Sequence, residues 1–336
     1  IGNTGTAIST TFSGGVTGTN NLVISEGATN GTITFATGSL NNTGTITNSG
    51  SGTGTTTISA TVGSNVTGIT ESSSTSALTI SGAITPKSTG STFTNSGTAA
   101  LTISGGISGT GNVTFNNNSS GTTTVSGTTL NNTGTITNSG SGTGTTTISA
   151  AVGSNVTGIT ESSSTSALTL SGTNSYTGGT TITAGTINAG SGNALGTGGV
   201  GIGSSGILNL TYSGTVTLGS TLSMSTGASI TNSANTSSLS VAGASTLNGS
   251  ITTTGTQTYT GAVTLGANAA LTTTNSNITF SSTVDSTAGS YYGLSITNGT
   301  GTTALGGVVG ANSATSALGY LCINATGCSA SAVGTT

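Results

Sequence analysis

Five side chains in this 336-residue sequence carry charge at neutral pH, namely Glu26, Glu71, Glu161, Asp285 and Lys87. Histidine is absent, so the many Ser and Thr hydroxyls have no imidazole base to activate them as nucleophiles. Glycoside hydrolysis requires two carboxyl groups about 5–10 Å apart. Glu71 and Glu161 occupy equivalent positions of a duplicated segment, which we expect to be too far apart for cooperation. We therefore predict no catalytic residue and a protein that is not an enzyme.

The shortage of charge also limits the partners of the chain. Nucleic-acid binding uses Lys and Arg to neutralise phosphates, and anionic membrane surfaces attract the same residues, but one Lys and no Arg are present. The least polar stretch, 304–323, is interrupted by Gly, Asn and Ser. The Gly-rich segments lack the lysine of a phosphate-binding loop. We expect no nucleic-acid partner, no membrane insertion, no cofactor and no metal.

The two cysteines, Cys322 and Cys328, stand close together in "LCINATGC". They are either half of a metal site, with no His to complete it, or a local disulfide. We favour the disulfide, which is typical of oxidising compartments. The sequence also begins at Ile1 rather than Met. We interpret both features as signs of a processed protein located outside the cell or on a bacterial cell surface.

One segment occurs twice, at 40–82 and at 130–172. Both copies begin with the same stretch, LNNTGTITNSGSGTGTTTISA. Only two positions differ between the copies, where Thr61 becomes Ala151 and Ile80 becomes Leu170. A repeated segment without aromatic or catalytic side chains indicates a structural module.

Bulky apolar residues recur at nearly constant intervals from Phe12 to Ile182. Each is flanked by Thr or Ser, as in "TITN" and "ALTIS", which is the alternation of a strand with one buried face. Gly, Asn and Ser clusters between them indicate turns. After Phe12, the residues predicted to form the core ladder are Ile24, Phe35, Ile46, Ile58, Ile69, Ile80, Phe93, Ile103, Phe115, Val125, Ile136, Ile148, Ile159, Leu170 and Ile182.

This spacing predicts an all-β protein, because the Gly and β-branched content is unfavourable for helices. Two intervals make about 22–23 residues, the length of one turn of a parallel β-helix, or β-solenoid, and about fifteen turns would use the whole chain. Thr and Asn stacked on like residues then replace a large apolar core. The alternative is a set of β-sandwich-like repeat modules, but a sandwich requires dissimilar edge and central strands, whereas a solenoid stacks equivalent ones.

The rhythm becomes less regular after Ile182. We expect a repetitive β-solenoid over 1–265 and a less regular β-rich module or cap over 266–336, held by the disulfide. The sequence "GTNSYTGGTTITAGTINAGSGNALGTGG" starts at Gly172. It resembles the autotransporter-associated β-strand repeat. One copy of this repeat is recognisable, at about residues 172–210. This resemblance implies a right-handed parallel β-helix, export by a Gram-negative cell, and a role as a stalk or adhesive surface.

These features predict a non-enzymatic extracellular structural protein that self-assembles into a surface filament or fibre. An open β-stack exposes unpaired backbone groups at its ends, and almost no charge opposes association. The alternative is an adhesin-like passenger segment whose partners are glycans or another cell surface; ice binding by Thr arrays is a third possibility. With so few ionisable groups, we expect pH and salt to have little effect on stability.

Overall fold

The computed structural model describes residues 1–234, 236–310 and 315–324. These residues form short β-strands and turns, and no helix is found among them. The strands stack in parallel as a β-solenoid, which confirms the predicted fold class. About 14 turns of the solenoid, here called rungs, are present, close to the number expected. The chain divides into two compact units, residues 1–177 and 178–336.

Unit 1, residues 1–177, contains twenty strands. Their bounds are β1 Gly2–Thr6, β2 Ser9–Phe12, β3 Leu22–Thr29, β4 Thr32–Phe35, β5 Ser39–Leu40, β6 Gly44–Asn48, β7 Thr55–Ile58, β8 Thr61–Val62, β9 Val66–Glu71, β10 Leu78–Ile80, β11 Ser91–Asn95, β12 Leu101–Ile103, β13 Ile107–Thr110, β14 Val113–Asn117, β15 Thr123–Val125, β16 Thr129–Ser139, β17 Thr146–Ile148, β18 Ala151–Val152, β19 Val156–Glu161 and β20 Leu168–Leu170.

Three strand columns run through unit 1. Column 1 stacks β2, β4, β7, β10, β12, β15, β17 and β20. Column 2 stacks β1, β3, β6, β9, β11, β14, β16 and β19. Column 3 is narrower and contains β5 with β8, and β13 with the first part of β16 and β18. Successive rungs therefore place like strands directly on one another.

The predicted core residues of unit 1 alternate between the first two columns. In column 1 the register stacks Phe12, Phe35, Ile58, Ile80, Ile103, Val125, Ile148 and Leu170. In column 2 it stacks Ile46, Ile69, Phe93 and Phe115, and separately Ile136 and Ile159. Two intervals therefore span one rung because consecutive ladder residues lie on different columns. Ile24 pairs with Asn48 rather than with Ile46.

Aromatic residues stack where the register brings them together. The rings of Phe12 and Phe35 are stacked with centroids 5.1 Å apart, and those of Phe93 and Phe115 lie 5.6 Å apart. All the predicted core-ladder residues from Ile24 to Ile182 are buried, none more than 2% exposed. The Thr residues directly next to them along the strands, such as Thr47, Thr57 and Thr79, stay partly exposed, as expected where branched side chains line both faces of a strand.

Unit 2, described over 178–234, 236–310 and 315–324, contains sixteen strands. Their bounds are β21 Gly179–Ala189, β22 Val200–Leu210, β23 Gly214–Leu218, β24 Leu222–Met224, β25 Ser229–Asn232, β26 Ser237–Val241, β27 Ser245–Leu247, β28 Ser250–Thr252, β29 Gln257–Tyr259, β30 Val263–Leu265, β31 Ala269–Thr272, β32 Ile278–Phe280, β33 Val284–Ser286, β34 Leu294–Thr297, β35 Thr303–Leu305 and β36 Leu321–Ile323.

Rung length varies more in unit 2 than in unit 1. The number of residues between register partners is small in the rung from Ser245 to Val263 and large in the rung from Leu294 to Leu321. This variation explains why the apolar rhythm weakens after Ile182, the ladder residue that lies on β21. Parallel pairing continues across the module boundary predicted at residue 265, since β30 pairs with β33. That boundary stays a prediction.

Candidate functional site: a buried polar column in unit 1

The three glutamates of the chain lie inside unit 1 rather than on its surface. Glu26, Glu71 and Glu161 are each 0% exposed in column 2, where Glu71 and Glu161 are the last residues of β9 and β19 and Glu26 lies within β3. A buried charge costs much free energy unless it is paired. The surroundings of these carboxyl groups therefore decide what they do.

The glutamates belong to a column of buried polar residues, one in each rung from β3 to β19, which we call the corner column. It lies where the chain leaves column 2 and turns toward column 1. Neighbouring members pair directly in the register at Asn48–Glu71, Glu71–Asn95, Asn95–Asn117 and Asn138–Glu161. Its members, all 0% exposed, are Glu26, Asn48, Glu71, Asn95, Asn117, Asn138 and Glu161.

The asparagines of the corner column each donate a hydrogen bond to a backbone carbonyl of the following rung. Nδ2 of Asn48 donates to the carbonyl of Ser76 at 2.7 Å, and Nδ2 of Asn138 donates to that of Ser166 at 3.0 Å. Asn95 and Asn117 donate in the same way to the carbonyls of Thr122 and Gly144. Since buried backbone carbonyls need donors, these amides hold consecutive corners together.

Three of the asparagines also accept a hydrogen bond from a threonine of column 1. Thr56 Oγ1 donates to Asn48 Oδ1 at 2.8 Å, Thr123 Oγ1 to Asn117 Oδ1 at 2.6 Å, and Thr146 Oγ1 to Asn138 Oδ1 at 2.6 Å. The same column-1 position is Leu78 in the rung of Glu71 and Leu168 in the rung of Glu161. This column-1 position is therefore Thr in the rungs of Asn48, Asn117 and Asn138, and Leu in the rungs of the two glutamates.

Glu71 and Glu161 make matching contacts in the two sequence copies. Glu71 accepts from Asn48 Nδ2 at 2.7 Å and from the Ser73 N–H at 2.6 Å. Burial raises the pKa of Glu71 to about 7, although the bonds from Asn48 and Ser73 act in the opposite direction.

Glu161 accepts from Asn138 Nδ2 and from the Ser163 N–H, both at 2.8 Å. Burial raises the pKa of Glu161 to about 8, against the hydrogen bonds from Asn138 and the backbone. Desolvation of the charged form thus outweighs hydrogen bonding at both sites.

The two glutamates of the duplicated segment lie far apart along the corner column. Four rungs separate Glu71 from Glu161, so at about 4.8 Å per rung the two carboxyl groups are roughly 19 Å apart. No cluster of three or more His, Cys, Asp or Glu side chains able to hold a metal occurs in the described ranges. What these carboxyl groups offer chemically is proton binding inside a hydrogen-bonded stack.

The remaining charged residues lie elsewhere. Lys87 follows the buried Pro86 between β10 and β11 and is half-buried. It lines a surface groove of about 470 Å³ together with Ser64, Asn65, Thr85 and others. Asp285 lies on β33, 8% exposed, with Oδ1 unpartnered.

Cys322 lies on β36 and pairs in register with Ser295. Cys328, its predicted disulfide partner, lies outside the described residues, so the disulfide stays a prediction. In the part of the chain that the structure describes, no helix has the length and apolar character needed to cross a membrane.

Sequence reasoning missed the corner column, although a signal was present. A polar Asn or Glu follows two residues after a bulky apolar residue, as in Ile46–Asn48, Ile69–Glu71 and Phe93–Asn95. In the sequence alone, these polar residues have the composition of turns. Their burial follows from alternation, because residues i and i+2 of a strand face the same side.

The first rung of unit 1 has an open edge. Among the described residues, β1 pairs only with β3 and β2 only with β4. Ile1 and Ile8 are about half exposed there, and so is Val23 on β3 of the next rung. In unit 2, β35 pairs only with β32 and β36 only with β34 within the described part, and Leu305, Val308 and Ile323 are exposed.

Comparison with known proteins found no matching family model, no matching curated protein and no matching solved structure. The fold and the corner column define a β-solenoid repeat protein with a buried Asn/Glu ladder. Its function is inferred from the chain's own residues and contacts.

Proposed function

We propose that this chain is a non-enzymatic extracellular structural protein whose copies assemble edge to edge into a surface filament or fibre. The observation that carries the proposal is the open edge formed by β1 and β2. Their outer backbone N–H and C=O groups have no strand partner in the described residues.

The edge strands lack charged side chains and proline, two features that usually prevent association. Soluble proteins block such edges with charged residues, proline or bulges. β1 reads GNTGT and β2 reads STTF, so neither has a charged side chain or a proline. A formal net charge of −3 over 336 residues gives little repulsion between copies.

The partner that fits this edge is a second copy of the chain, joined through the strands β35 and β36 of its unit 2. A contact between unlike edges that does not close into a ring generates a filament. Export to the cell surface agrees with the resemblance of 172–210 to the autotransporter-associated repeat and with a disulfide near the C-terminus. Both remain part of the proposal.

Electron microscopy and sedimentation test assembly directly. The variant Ser9→Lys/Thr11→Lys places two charges on exposed positions of the edge strand β2. A matched control, Ser104→Lys/Ser126→Lys, adds the same charge to exposed positions after β12 and β15. We expect filaments from the wild type and the control and monomers from the edge variant. Monomeric wild type at high concentration, or filaments that tolerate the edge charges, would refute the proposal.

The groove beside Lys87 favours a second candidate function, that of an adhesin-like passenger. Hydroxyl, amide and ammonium groups surround about 470 Å³ there, a combination suited to an acidic saccharide. Binding of the purified protein to immobilised acidic glycans, compared with Lys87→Ala, separates this function from assembly. Equal binding by both proteins, or none by either, would remove it.

A further inference from the structure

Asn95 differs from the other asparagines of the corner column. Its Oδ1 is buried and accepts no hydrogen bond, whereas Asn48, Asn117 and Asn138 each accept from a threonine. In the rung of Asn95, the register places Leu101 at that threonine position. An unmet buried acceptor is costly, so a donor for Asn95 Oδ1 is to be sought among its neighbours.

The orientation of the Asn95 amide is fixed by its nitrogen. Nδ2 donates to the carbonyl of Ala99 at 3.0 Å and to that of Thr122 at 3.1 Å. Exchanging the amide nitrogen and oxygen would place Oδ1 against these two carbonyl oxygens and lose both bonds. The unmet atom is therefore the oxygen.

Only two corner-column residues, Asn117 and Glu71, neighbour Asn95. The amide nitrogen of Asn117 already donates its hydrogen bonds to other acceptors. On β14, Asn117 uses Nδ2 for the Gly144 carbonyl at 3.1 Å and for Thr146 Oγ1 at 3.0 Å. On β9, Glu71 is the direct register partner of Asn95, on a strand about 4.8 Å away. An ionised carboxylate only accepts hydrogen bonds, whereas a protonated carboxyl group has one O–H to donate.

We propose that Glu71 is a buried proton-binding site, neutral in the folded protein, whose carboxyl O–H donates to Asn95 Oδ1. The same carboxyl group continues to accept from Asn48 and from Ser73, so one proton completes the ladder from Asn48 to Asn95. The proposal does not depend on filament assembly.

The electrostatic surroundings agree with a neutral acid. Flanking β9 are β6 and β11, and β10 follows it in the same rung; none of these three strands contains an Asp, Glu, Lys, Arg, His or Tyr. The next carboxyl group in the column, Glu26, is two rungs away beyond Asn48, and Lys87 lies in the surface groove. Burial raises the pKa of Glu71 to about 7 from 4.5, and no cation is near enough to reverse this.

The sign of the pH effect follows from the direction of that shift. Below about pH 4.5, folded and unfolded chains both hold the proton, and the stabilisation is fully present. As the pH rises toward 7, the unfolded chain releases its proton while the folded chain keeps it. The unfolding equilibrium constant then increases up to about tenfold per pH unit for this group.

Carbon-13 NMR of the glutamate carboxyl carbons tests the proposal, because the chain has only three glutamates. Glu71→Gln assigns the Glu71 signal. Leu101→Thr restores the hydroxyl that the rungs of Asn48, Asn117 and Asn138 possess. Leu168→Thr is the matched control, the same substitution at the same column-1 position three rungs away.

We expect Glu71 to titrate near pH 7 in the wild type and in Leu168→Thr, and about one pH unit lower in Leu101→Thr. Titration near the ordinary value of 4.5 would overturn the proposal. So would a Glu71 signal that Leu101→Thr leaves in place.

If Leu101→Thr does not fold, infrared spectroscopy of the wild type decides. At about pH 6 a protonated carboxyl band that weakens in Glu71→Gln supports the proposal, because an unperturbed glutamate is ionised there. Absence of any loss of that band in Glu71→Gln contradicts it.

Discussion

The two copies at 40–82 and 130–172 place one sequence above two different rungs. Gly50 and Gly140 each lie directly against the backbone of the rung beneath, at Glu26 and at Asn117 respectively. Asn117 donates to the Gly144 carbonyl, whereas Glu26 accepts from the Ala28 N–H and leaves Oε2 unpartnered. The Asn–Glu and Thr–Asn hydrogen bonds within the two copies are the same. The rungs beneath the copies differ, because one presents Glu26 and the other presents Asn117.

This comparison shows what the corner column requires. Either Asn or Glu occupies this buried position without a change of fold, although an ionised carboxylate and an amide differ by a full charge. The interchange is physically reasonable when the acid is neutral, because a protonated carboxyl group and an amide both donate and both accept. The pKa values of about 7 for Glu71 and about 8 for Glu161 agree with that condition.

The largest loss of stability is expected from adding a side chain to the closely packed glycines. A Cβ at Gly50 or at Gly140 would overlap backbone atoms of the preceding rung, and Gly140 additionally has φ of +115°. Gly50→Ala should cost about 2–3 kcal/mol from overpacking, and Gly140→Ala about 1 kcal/mol more from its backbone conformation. Chemical denaturation measures both. Equal losses would show that the positive φ of Gly140 carries no cost of its own.

The next largest loss of stability is expected from the threonines that donate hydrogen bonds to the side-chain oxygens of the asparagines. Thr56→Val should cost about 1–3 kcal/mol, because it leaves Asn48 Oδ1 buried without a donor. Thr146→Val should cost more than Thr56→Val, since Thr146 also accepts from Asn117. Thr57→Val and Thr147→Val, at half-buried neighbouring positions, are the controls and should change stability by less than about 0.5 kcal/mol. Equal costs at Thr56 and Thr57 would contradict the hydrogen-bond account.

The two glutamates should separate by the pH range over which they act. Each raised pKa contributes stability that is present at acid pH and lost as the pH rises through about 7 for Glu71 and about 8 for Glu161. Each group contributes a slope of up to about 1.4 kcal/mol per pH unit. In denaturation series at several pH values, Glu71→Gln should flatten the curve below pH 7 while Glu161→Gln flattens it up to pH 8. Unchanged slopes in both variants would mean that the carboxyl groups are ionised when folded.

The smallest effect is expected where the copies themselves differ. Ala151→Thr and Leu170→Ile make the second copy identical to the first. Residue 151 is exposed and residue 170 is buried, so the former should change stability by less than about 0.5 kcal/mol and the latter by less than about 1.5 kcal/mol. A larger loss in thermal unfolding would show that the second copy is adapted to the rung beneath it.

Much of the fold of unit 1 was predictable because one physical rule repeats. Apolar residues flanked by Thr mark a buried strand face, and an interval near half a rung assigns Ile46 and Ile58 to successive columns. The irregular rungs of unit 2 could not be predicted in the same way. The short rung that begins at Ser245 and the long one that begins at Leu294 both break that interval.

The corner column was not predicted because composition counts charges and does not locate them. Few ionisable groups suggested little response to pH, but burial of Glu71 and Glu161 matters more than their number. The pairing of Thr56 with Asn48 or of Leu101 with Asn95 depends on how the chain turns the corner between two columns. Asn occurs both in exposed turns and at buried positions of the corner column. Only the packing of successive rungs distinguishes the two.

Counting the protons that the protein releases on unfolding tests the neutral corner column most directly. With denaturant added in a pH-stat near pH 6, the raised pKa values of Glu71 and Glu161 predict a release of about two protons per chain. The double variant Glu71→Gln/Glu161→Gln should release about two fewer. No release by the wild type, or an uptake of protons, would contradict the account.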